Sequence, residues 1–179
     1  FIKGKEYRFL VIDDQVVGIL HRVPANVLGD GVKTIRELVE LKNKNPLRGK
    51  GYVTPLEKIN LGENEAIFLK QQNKDFDYVP LAGETVYLRE NSNISTGGDS
   101  IDYTDDIPQK FKDIAVKASK AAGAKICGED MMLGDYSDEN INYAIIEINF
   151  NPAIHIHSYP FIGTERKIAV EVLKLLELV

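Results

Sequence analysis

Side chains suited to metal binding alternate along residues 145–152. Glu147, Asn149 and Asn151 occupy every second position, and apolar residues stand between them. Because successive side chains of a β-strand point to opposite faces, the three polar groups would share one face. Carboxylate and carboxamide oxygens are hard ligands that suit Mg²⁺. The pattern predicts a metal-binding face, and the alternative is a plain solvent-facing sheet surface.

A second carboxylate is expected beside this face. Asp130 lies within the apolar, strand-like segment 125–133, and the polar turn 134–142 connects that segment to a strand over residues 143–150. Strands joined in this way pair as a hairpin. We therefore expect Asp130 to complete the metal site.

A run of mostly small, hydrogen-bonding residues follows Arg89, spans residues 91–98 and ends in Gly97 and Gly98. Such a loop can direct several backbone N–H groups at an anion, and Arg89 adds a planar guanidinium for phosphate or carboxylate. The spacing is neither that of the P-loop nor that of the dinucleotide-binding fingerprint. The sequence predicts an anion-binding loop, with an ordinary turn as the alternative.

Two histidines, one cysteine and one serine are further candidates for a functional role. On an extended segment, His155 and His157 would share a face and form half of a metal site, although a polar pocket wall explains them as well. Cys127 lies in an apolar strand, so we expect a buried thiol and not a nucleophile. Ser158 lacks the Gly-x-Ser-x-Gly setting of a nucleophile elbow.

Residues 46–51 mix proline and glycine with the positive charges of Arg48 and Lys50. This composition predicts a mobile loop whose tip can close over an anion. A simple solvated loop is the alternative.

A sheet and helices must position these groups. Apolar, β-branched runs on both sides of residues 13–15 predict a β-hairpin. Thr34 and Glu37 have the spacing of a capping box, which marks the start of a helix. Hairpins with interspersed helices indicate an α+β fold whose mainly antiparallel sheet is covered by helices. The predicted strands are 7–13, 16–23, 125–133 and 143–150, the extended segments 78–81 and 85–89, and the helices 35–44, 64–72, 108–122 and 166–178.

Composition excludes several classes of protein. The 179 residues are 44% hydrophobic and 27% charged, with a net charge of −5, which indicates one globular domain or slightly more. No apolar run approaches the roughly 18 residues of a membrane helix, and residues 1–9 are too charged for a signal peptide. The single Cys127 excludes an internal disulfide and a zinc site of several thiolates. We expect a cytoplasmic protein that binds neither membranes nor nucleic acid.

Six motifs follow one another along the chain and together cover nearly all of it. They are Gly4-Lys5-Glu6-Tyr7-Arg8, Arg22-Val23-Pro24-Ala25, Gly29-Asp30-Gly31 with Thr34-Ile35-Arg36-Glu37-Leu38, Asn93-Ile94-Ser95-Thr96-Gly97-Gly98, Gly128-Glu129-Asp130 and Glu147-Ile148-Asn149-Phe150-Asn151-Pro152. In this order they resemble the ATP-grasp superfamily. They resemble in particular the glutathione synthetase module of bacterial bifunctional glutamate–cysteine ligase/glutathione synthetases, and cyanophycin synthetase is a near relative.

The resemblance implies an ATP-dependent carboxylate–amine ligase. In such an enzyme the carboxylate of γ-glutamylcysteine is phosphorylated by ATP, and the amine of glycine then attacks the acyl phosphate. By similarity, Glu6 accepts hydrogen bonds from the ribose hydroxyls, and Ile2 lines the adenine. The residues implied are Asp130, Glu147 and Asn149 for Mg²⁺ (or Mn²⁺), Ile2, Glu6 and Arg22 for ATP, Arg89, Asn93, Gly97 and Gly98 for the acceptor carboxylate and the transferring phosphoryl group, and Asn151 for substrate.

The resemblance also carries an expectation about domains. ATP-grasp enzymes hold the nucleotide between two lobes, and the lobe with the phosphate-binding lysines would precede Phe1. Residues 1–179 are therefore expected to be the C-terminal part, or C-terminal lobe, of an ATP-grasp domain. We expect the N-terminal lobe and any upstream domains to be absent from this chain, and we therefore expect the chain alone to be inactive. The longer parent protein is expected to be a homodimer that acts on small molecules.

Two alternatives stay open at this point. A ligase of the cyanophycin synthetase type would share the fold and the ATP chemistry, and would differ in its donor and acceptor pockets. A non-catalytic nucleotide- or metal-binding module would keep the fold without turnover.

Overall fold

The computed structural model describes residues 3–137 and 142–179. These residues form two compact units, the first made of residues 3–21, 100–137 and 142–179 and the second of Arg22–Asp99. The elements in chain order are β1 (Lys5–Ile12), β2 (Gln15–Val23), β3 (Asn26–Leu28), α1 (Ile35–Lys42), β4 (Arg48–Gly49), β5 (Leu56–Glu57), α2 (Glu63–Gln71), β6 (Thr85–Tyr87), a 3₁₀ turn (Ile94–Thr96), β7 (Asp99–Asp102), α3 (Gln109–Ala121), β8 (Ile126–Leu133), β9 (Tyr143–Asn149), α4 (His155–Ser158) and α5 (Ile168–Leu175).

A five-stranded sheet in the order β7-β2-β1-β8-β9 forms the framework of the first unit. β1 is antiparallel to both β2 and β8, and β8 is antiparallel to β9, so both predicted hairpins are confirmed. β1 lies at the centre of the sheet, and its residues from Tyr7 to Ile12 are all buried. β9 lies at the edge and has no buried residue. The two-residue turn between β1 and β2 begins at Asp13, which has a φ of 53°, a region that aspartate tolerates better than most residues.

Helices cover both faces of this sheet. Phe111 and Ala115 of α3 pack with Tyr7 and Phe9 on one face, and Ile168 of α5 packs with the residues of β1 on the other. Burial of each large apolar side chain contributes about 1.5–3 kcal/mol relative to exposure. The predicted α+β class with a mainly antiparallel sheet is therefore confirmed. Among residues 3–137 and 142–179, no helix has the length and apolar character needed to cross a membrane.

The second unit has its own core, built on two small pairs of strands and two helices. β3 pairs with β6 antiparallel, and the two-residue strands β4 and β5 pair in parallel. The capping box at the start of α1 is present, because the Glu37 amide donates to Thr34 Oγ1 at 3.3 Å and the Thr34 amide donates to Glu37 Oε2 at 2.8 Å. Apolar side chains from these elements form the core: Ala25, Val27, Ile35, Leu38, Val39, Ile59, Leu69, Val86 and Leu88.

Some predicted boundaries differ from the structure. The helix predicted over 166–178 is limited to α5, because Glu177 adopts a left-handed φ of 57° and the Leu178 amide bonds back to the Leu173 carbonyl at 3.0 Å. The helix predicted over 35–44 ends at Lys42, and residues 78–81 form no strand. In the predicted turn 134–142, residues 138–141 lie outside the described part of the chain.

Candidate functional site

The predicted acidic face forms on the first unit where β8 and β9 pair. Asp130 stands directly opposite Glu147, and Gly128 stands opposite Asn149. Residues that face each other across an antiparallel pair lie on the same face of the sheet. The hairpin therefore brings together the three residues that the sequence nominated as metal ligands, a group called here the acidic face.

Arg8 lies across the acidic face, and sequence reasoning from spacing had not selected it. β1 places Arg8 opposite Asp130, and its Nε and Nη2 donate to the two carboxylate oxygens of Asp130, the second at 2.7 Å. Its Nη2 also reaches Glu147 Oε1 at 3.5 Å. Burial alone would lower the pKa of Arg8, but the hydrogen bond and charge of Asp130 outweigh it and raise that pKa. A signal was available, since Glu6 and Arg8 alternate with the apolar Tyr7 and Phe9 along the sequence.

Gly128 provides the space that this guanidinium occupies. A Cβ at Gly128 would lie 2.9 Å from Arg8 Cδ, closer than real Cβ contacts come, and 3.1 Å from Pro152 Cβ, which is tighter than most. The absence of a side chain on β8 at this point therefore lets Arg8 cross the sheet to Asp130 and Glu147.

The donor set of the acidic face fits a hard divalent cation. Asp130 is buried, whereas the Glu147 side chain is 57% exposed and open to a ligand. Asn149 Oδ1 accepts from the Asn151 amide at 2.9 Å, so Asn151 contacts the site through its backbone and its own side chain is exposed. The set has two carboxylates and one amide, and among residues 3–137 and 142–179 no three His, Cys, Asp or Glu side chains are grouped to hold a metal ion.

The three residues expected to contact ATP have different positions. Glu6 is half-buried in β1, two residues from Arg8, and its charge helps to raise the pKa of Arg8. Arg22 is half-buried near the end of β2 and belongs to the second unit. Ile2 lies outside the described residues, so the adenine contact expected of it stays a prediction.

The prediction that His155 and His157 share one face is wrong. They lie in the single helical turn α4, where a spacing of two residues does not bring side chains to the same side. His157 is buried and His155 is exposed. A Cβ at Gly18 would lie 2.9 Å from His157 Nδ1, so His157 packs closely against the backbone of β2. Cys127 is buried, as expected.

The predicted anion-binding loop lies in the second unit and contains the 3₁₀ turn. The amides of Thr96 and Gly98 both donate to the Asn93 carbonyl, at 3.1 and 3.2 Å, and the Gly97 amide donates to the Ile94 carbonyl at 3.1 Å. These three N–H groups are used inside the loop, so the expectation that they would point at an anion is wrong. The exposed side chain of Asn93 remains open to a ligand.

Arg89 is held at the start of α2. Its Nε donates to Glu65, and the other carboxylate oxygen of Glu65 accepts from the Gly62 amide at 2.9 Å. Glu65 is buried, whereas 22% of the Arg89 side chain is exposed. The guanidinium predicted to bind an acceptor carboxylate is therefore oriented by a buried acid of its own unit.

Arg48 does not lie at the tip of a mobile loop, contrary to the prediction for residues 46–51. It lies in β4, its side chain is fully buried, and it is ion-paired with Asp99. The composition of residues 46–51 led to the wrong prediction of a mobile loop, because the carboxylate that pairs with Arg48 is distant along the chain and does not show in the local sequence. Lys42 pairs with the same carboxylate at 2.6 Å.

No model of a protein family matches the chain. The glutathione biosynthesis bifunctional protein GshAB of Clostridium perfringens is 60% identical over 178 residues, which are 98% of this chain and 23% of that protein. GshAB of Listeria monocytogenes serovar 1/2a is 52% identical over 176 residues, again 98% of this chain and 23% of that protein.

A solved structure agrees with these relatives. The crystal structure of a bifunctional glutathione synthetase from Pasteurella multocida matches with a TM-score of 0.86 and 43% identity, over 100% of this chain and 25% of that chain. The chain thus spans about a quarter of the length of the proteins it matches. The resemblance predicted from the six motifs is confirmed: this chain is a homologue, over nearly its whole length, of a segment of the bifunctional glutathione biosynthesis proteins.

Proposed function

We propose that the chain is part of an ATP-dependent carboxylate–amine ligase that joins γ-glutamylcysteine to glycine in glutathione biosynthesis. The observation that carries this proposal is the 60% identity, over 98% of the chain, to a glutathione biosynthesis bifunctional protein. The acidic face and the loop at Asn93 keep the residue types that the proposed chemistry needs.

The proposed reaction asks the protein for positioning and charge neutralisation. The carboxylate oxygen of γ-glutamylcysteine takes the terminal phosphoryl group of ATP and releases ADP. The glycine amine then attacks the acyl carbon, phosphate leaves, and a proton is lost from the amine. Charge on phosphoryl oxygens is stabilised by cations held in fixed positions.

In this proposal the acidic face holds the metal. Asp130, Glu147 and Asn149 would bind Mg²⁺ (or Mn²⁺), and the bound ion would supply positive charge at the phosphates of ATP. Arg8 supports this arrangement because it fixes the Asp130 carboxylate through two hydrogen bonds. The exposed Glu147 contacts Arg8 at a long distance of 3.5 Å, so it is the ligand most able to reorient.

The remaining roles are also proposals. Ile2 would line the adenine, Glu6 would accept from the ribose, and Arg22 would face the phosphates. The loop would bind the acceptor carboxylate and the transferring phosphoryl group through Arg89 and the side chain of Asn93. Gly97 and Gly98 would only shape the loop, because their N–H groups are already bonded within it. Asn151 would contact substrate.

We also propose that residues 1–179 form the C-terminal part, or lobe, of an ATP-grasp domain within a longer protein. The relatives support this proposal because the chain matches only 23% of their length. The lone, buried thiol of Cys127 suits the reducing cytoplasm, where we expect the enzyme to act on small molecules. A homodimer of the parent is the expected assembly, and light scattering of the full-length protein tests it.

The experiment that tests the function measures phosphate release by the full-length protein that contains this chain. We expect release to require ATP, Mg²⁺, γ-glutamylcysteine and glycine together. Turnover with aspartate and arginine instead would favour a cyanophycin-type ligase, and no turnover with either set would favour a non-catalytic module.

Glu147→Gln tests the metal assignment in the same assay. The variant keeps the shape of the side chain and removes the charge, so we expect Mg²⁺-dependent turnover to fall by on the order of 100-fold with little change in folding. The matched control is Glu165→Gln, an exposed acid away from the acidic face. Unchanged turnover in Glu147→Gln would exclude Glu147 as a metal ligand.

A further inference from the structure

The guanidinium of Arg48 connects the base of the loop formed by residues 91–98 to a neighbouring strand of the second unit. Its Nη1 donates to the Gly97 carbonyl at 3.1 Å and to the Glu57 carbonyl at 2.8 Å. Its Nη2 donates to the Gly98 carbonyl at 3.4 Å and to the Asp99 carboxylate. One planar group therefore holds two consecutive loop carbonyls in a fixed relation to β5.

Asp99 holds Arg48 in this position. The Asp99 side chain is 7% exposed and that of Arg48 is fully buried. Asp99 Oδ2 accepts from Lys42 Nζ at 2.6 Å and from Asn26 Nδ2 at 2.9 Å, which leaves Oδ1 directed at Arg48. Burial lowers the pKa of both Arg48 and Lys42, although the charge of Asp99 opposes that effect. Removal of Asp99 would leave the buried Arg48 and the largely buried Lys42 without a counter-charge, so Asp99 is the member that holds the cluster together.

The two glycines leave the base of the loop little space to move. Gly97 has a left-handed φ of 93°, and a Cβ there would lie 2.8 Å from Ile59 Cα. A Cβ at Gly98 would lie 2.8 Å from the Val23 carbonyl oxygen. The backbone is thus packed on one side and hydrogen-bonded to Arg48 through its carbonyls. Asn93, by contrast, is exposed.

We infer that Arg48 is a positioning residue that fixes the Gly97 and Gly98 carbonyls, and thereby aims the exposed Asn93 edge of the loop at the acceptor carboxylate. This inference rests on the proposed function for the nature of the ligand. Arg48 does not touch substrate, since its side chain is completely buried. It acts through the backbone of the loop, as Arg89 is oriented through Glu65.

Arg48→Lys tests the inference because lysine keeps the charge beside Asp99 and loses the planar fork. Hydrogen exchange of the full-length protein is followed in the peptide that contains residues 93–99. The amides of Thr96, Gly97 and Gly98 are expected to exchange about 5- to 10-fold faster in the variant, because the loop loses a hydrogen bond at its base. Unchanged exchange in a folded variant would overturn the inference.

Two control variants separate the fork from the charge. Arg36→Lys makes the same replacement at a side chain that is 48% exposed, and we expect no change in loop exchange. Lys42→Met removes the other cation of Asp99 without removing a contact to Gly97 or Gly98, and we expect a change of less than about 2-fold. If Lys42→Met accelerates loop exchange as strongly as Arg48→Lys, Arg48 only neutralises Asp99 and the inference is wrong.

Steady-state kinetics distinguish a positioning role of Arg48 from a purely structural one, because only a positioning role would change the kinetic constants for one substrate and not the other. We expect Arg48→Lys to lower kcat/KM for glycine by on the order of 10- to 100-fold, as small misplacements of a binding group do, with the KM for ATP unchanged within about 2-fold. Equal losses for glycine and ATP would indicate general damage and would overturn the inference.

The outcomes also separate this inference from the proposed function. A wild-type protein without glycine-dependent turnover would refute the proposed function and the acceptor, while loop exchange would still decide whether Arg48 positions the loop. Should Arg48→Lys fail to fold, Asp99→Asn is the second variant, because it keeps the acceptor oxygen and weakens its hold on Arg48. Faster loop exchange in Asp99→Asn would support the inference, and unchanged exchange would overturn it.

Discussion

Gly128 controls how closely Arg8 approaches the acidic face. We expect Gly128→Ala to destabilise the protein by about 1–3 kcal/mol, because an overpacked site must shift its neighbours. Chemical denaturation of the wild type and the variant measures this difference. The flexible end of Arg8 is part of the clash, so the value should lie toward the lower end of that range.

A double-mutant cycle checks the steric reason for this loss. In an Arg8→Ala background the nearest atom to the added Cβ is gone, so Gly128→Ala should destabilise the protein less than it does alone. An equal loss in both backgrounds would mean that Pro152, and not Arg8, sets the limit.

Glu129 is a buried acid on the face of β8 opposite to Asp130. Its side chain is completely buried, and Cys127 Sγ donates to its Oε1 at 3.8 Å. Its Oε2 has no hydrogen-bond partner among residues 3–137 and 142–179. Burial raises the pKa of Glu129 from 4.5 to about 7. The folded protein therefore favours the protonated carboxyl.

The sign of the pH effect follows from this raised pKa. The folded state binds a proton that the unfolded state releases, so the stability contributed by Glu129 is complete below pH 4.5 and is lost as the pH rises to about 7. Glu129→Gln mimics the neutral form, and we expect it to be more stable than the wild type at pH 8 by up to about 3 kcal/mol. Denaturation at pH 5 and pH 8 tests this, and a difference between the two proteins that does not change with pH would contradict it.

At the level of elements, the sequence predicted the long strands and the extended segment that contains β6, and it missed the short strands β3, β4, β5 and β7. β1 and β8 were visible as long, mostly apolar runs of eight residues, and β9 was visible from its alternation of polar and apolar residues. β4 and β5 have two residues each, too few to show a period. The same limit explains the error at α4, which has four residues.

Some residues of the candidate site could be predicted from the sequence, and others could not. Asp130, Glu147 and Asn149 could be grouped because a hairpin fixes its own register. The burial of Arg48 could not be predicted, because its ion-pair partner Asp99 is 51 residues away and no local sequence pattern indicates that the two residues pair. Arg8 is 122 residues from Asp130, and only the order of the strands brings them together.

The capping box of α1 gives a prediction about one helix. We expect Thr34→Ala to destabilise the protein by about 1 kcal/mol, because it removes the acceptor for the Glu37 amide. Thermal denaturation compared with Thr164→Ala, a change at an exposed residue outside the helices, measures the effect of the cap. Equal melting temperatures for the two variants would indicate that the box contributes nothing.

At the scale of the whole molecule, the proposed division of the ATP-grasp domain predicts how nucleotide binds. Residues 1–179 alone would keep the acidic face and lack the contacts of the proposed second lobe. Each charge-assisted hydrogen bond contributes about 1.5–3 kcal/mol, so we expect the isolated chain to bind an ATP analogue with Mg²⁺ on the order of 100-fold more weakly than the full-length protein.

Isothermal titration of both proteins checks this prediction. The circular dichroism spectrum of the isolated chain serves as the control for folding. Equal affinities would mean that the nucleotide site is complete within these residues, and the proposed division would then be wrong.

The burial of the Cys127 thiol affects how the folded chain would react with glutathione and its disulfide. Burial raises its pKa, and the thiolate is the form that attacks disulfides. Glutathione chemistry exposes proteins to mixed-disulfide formation, which captures accessible thiolates. Because the chain's single cysteine is protonated and enclosed once the protein has folded, the folded chain should not form mixed disulfides with oxidised glutathione, and only the unfolded chain would expose this thiol.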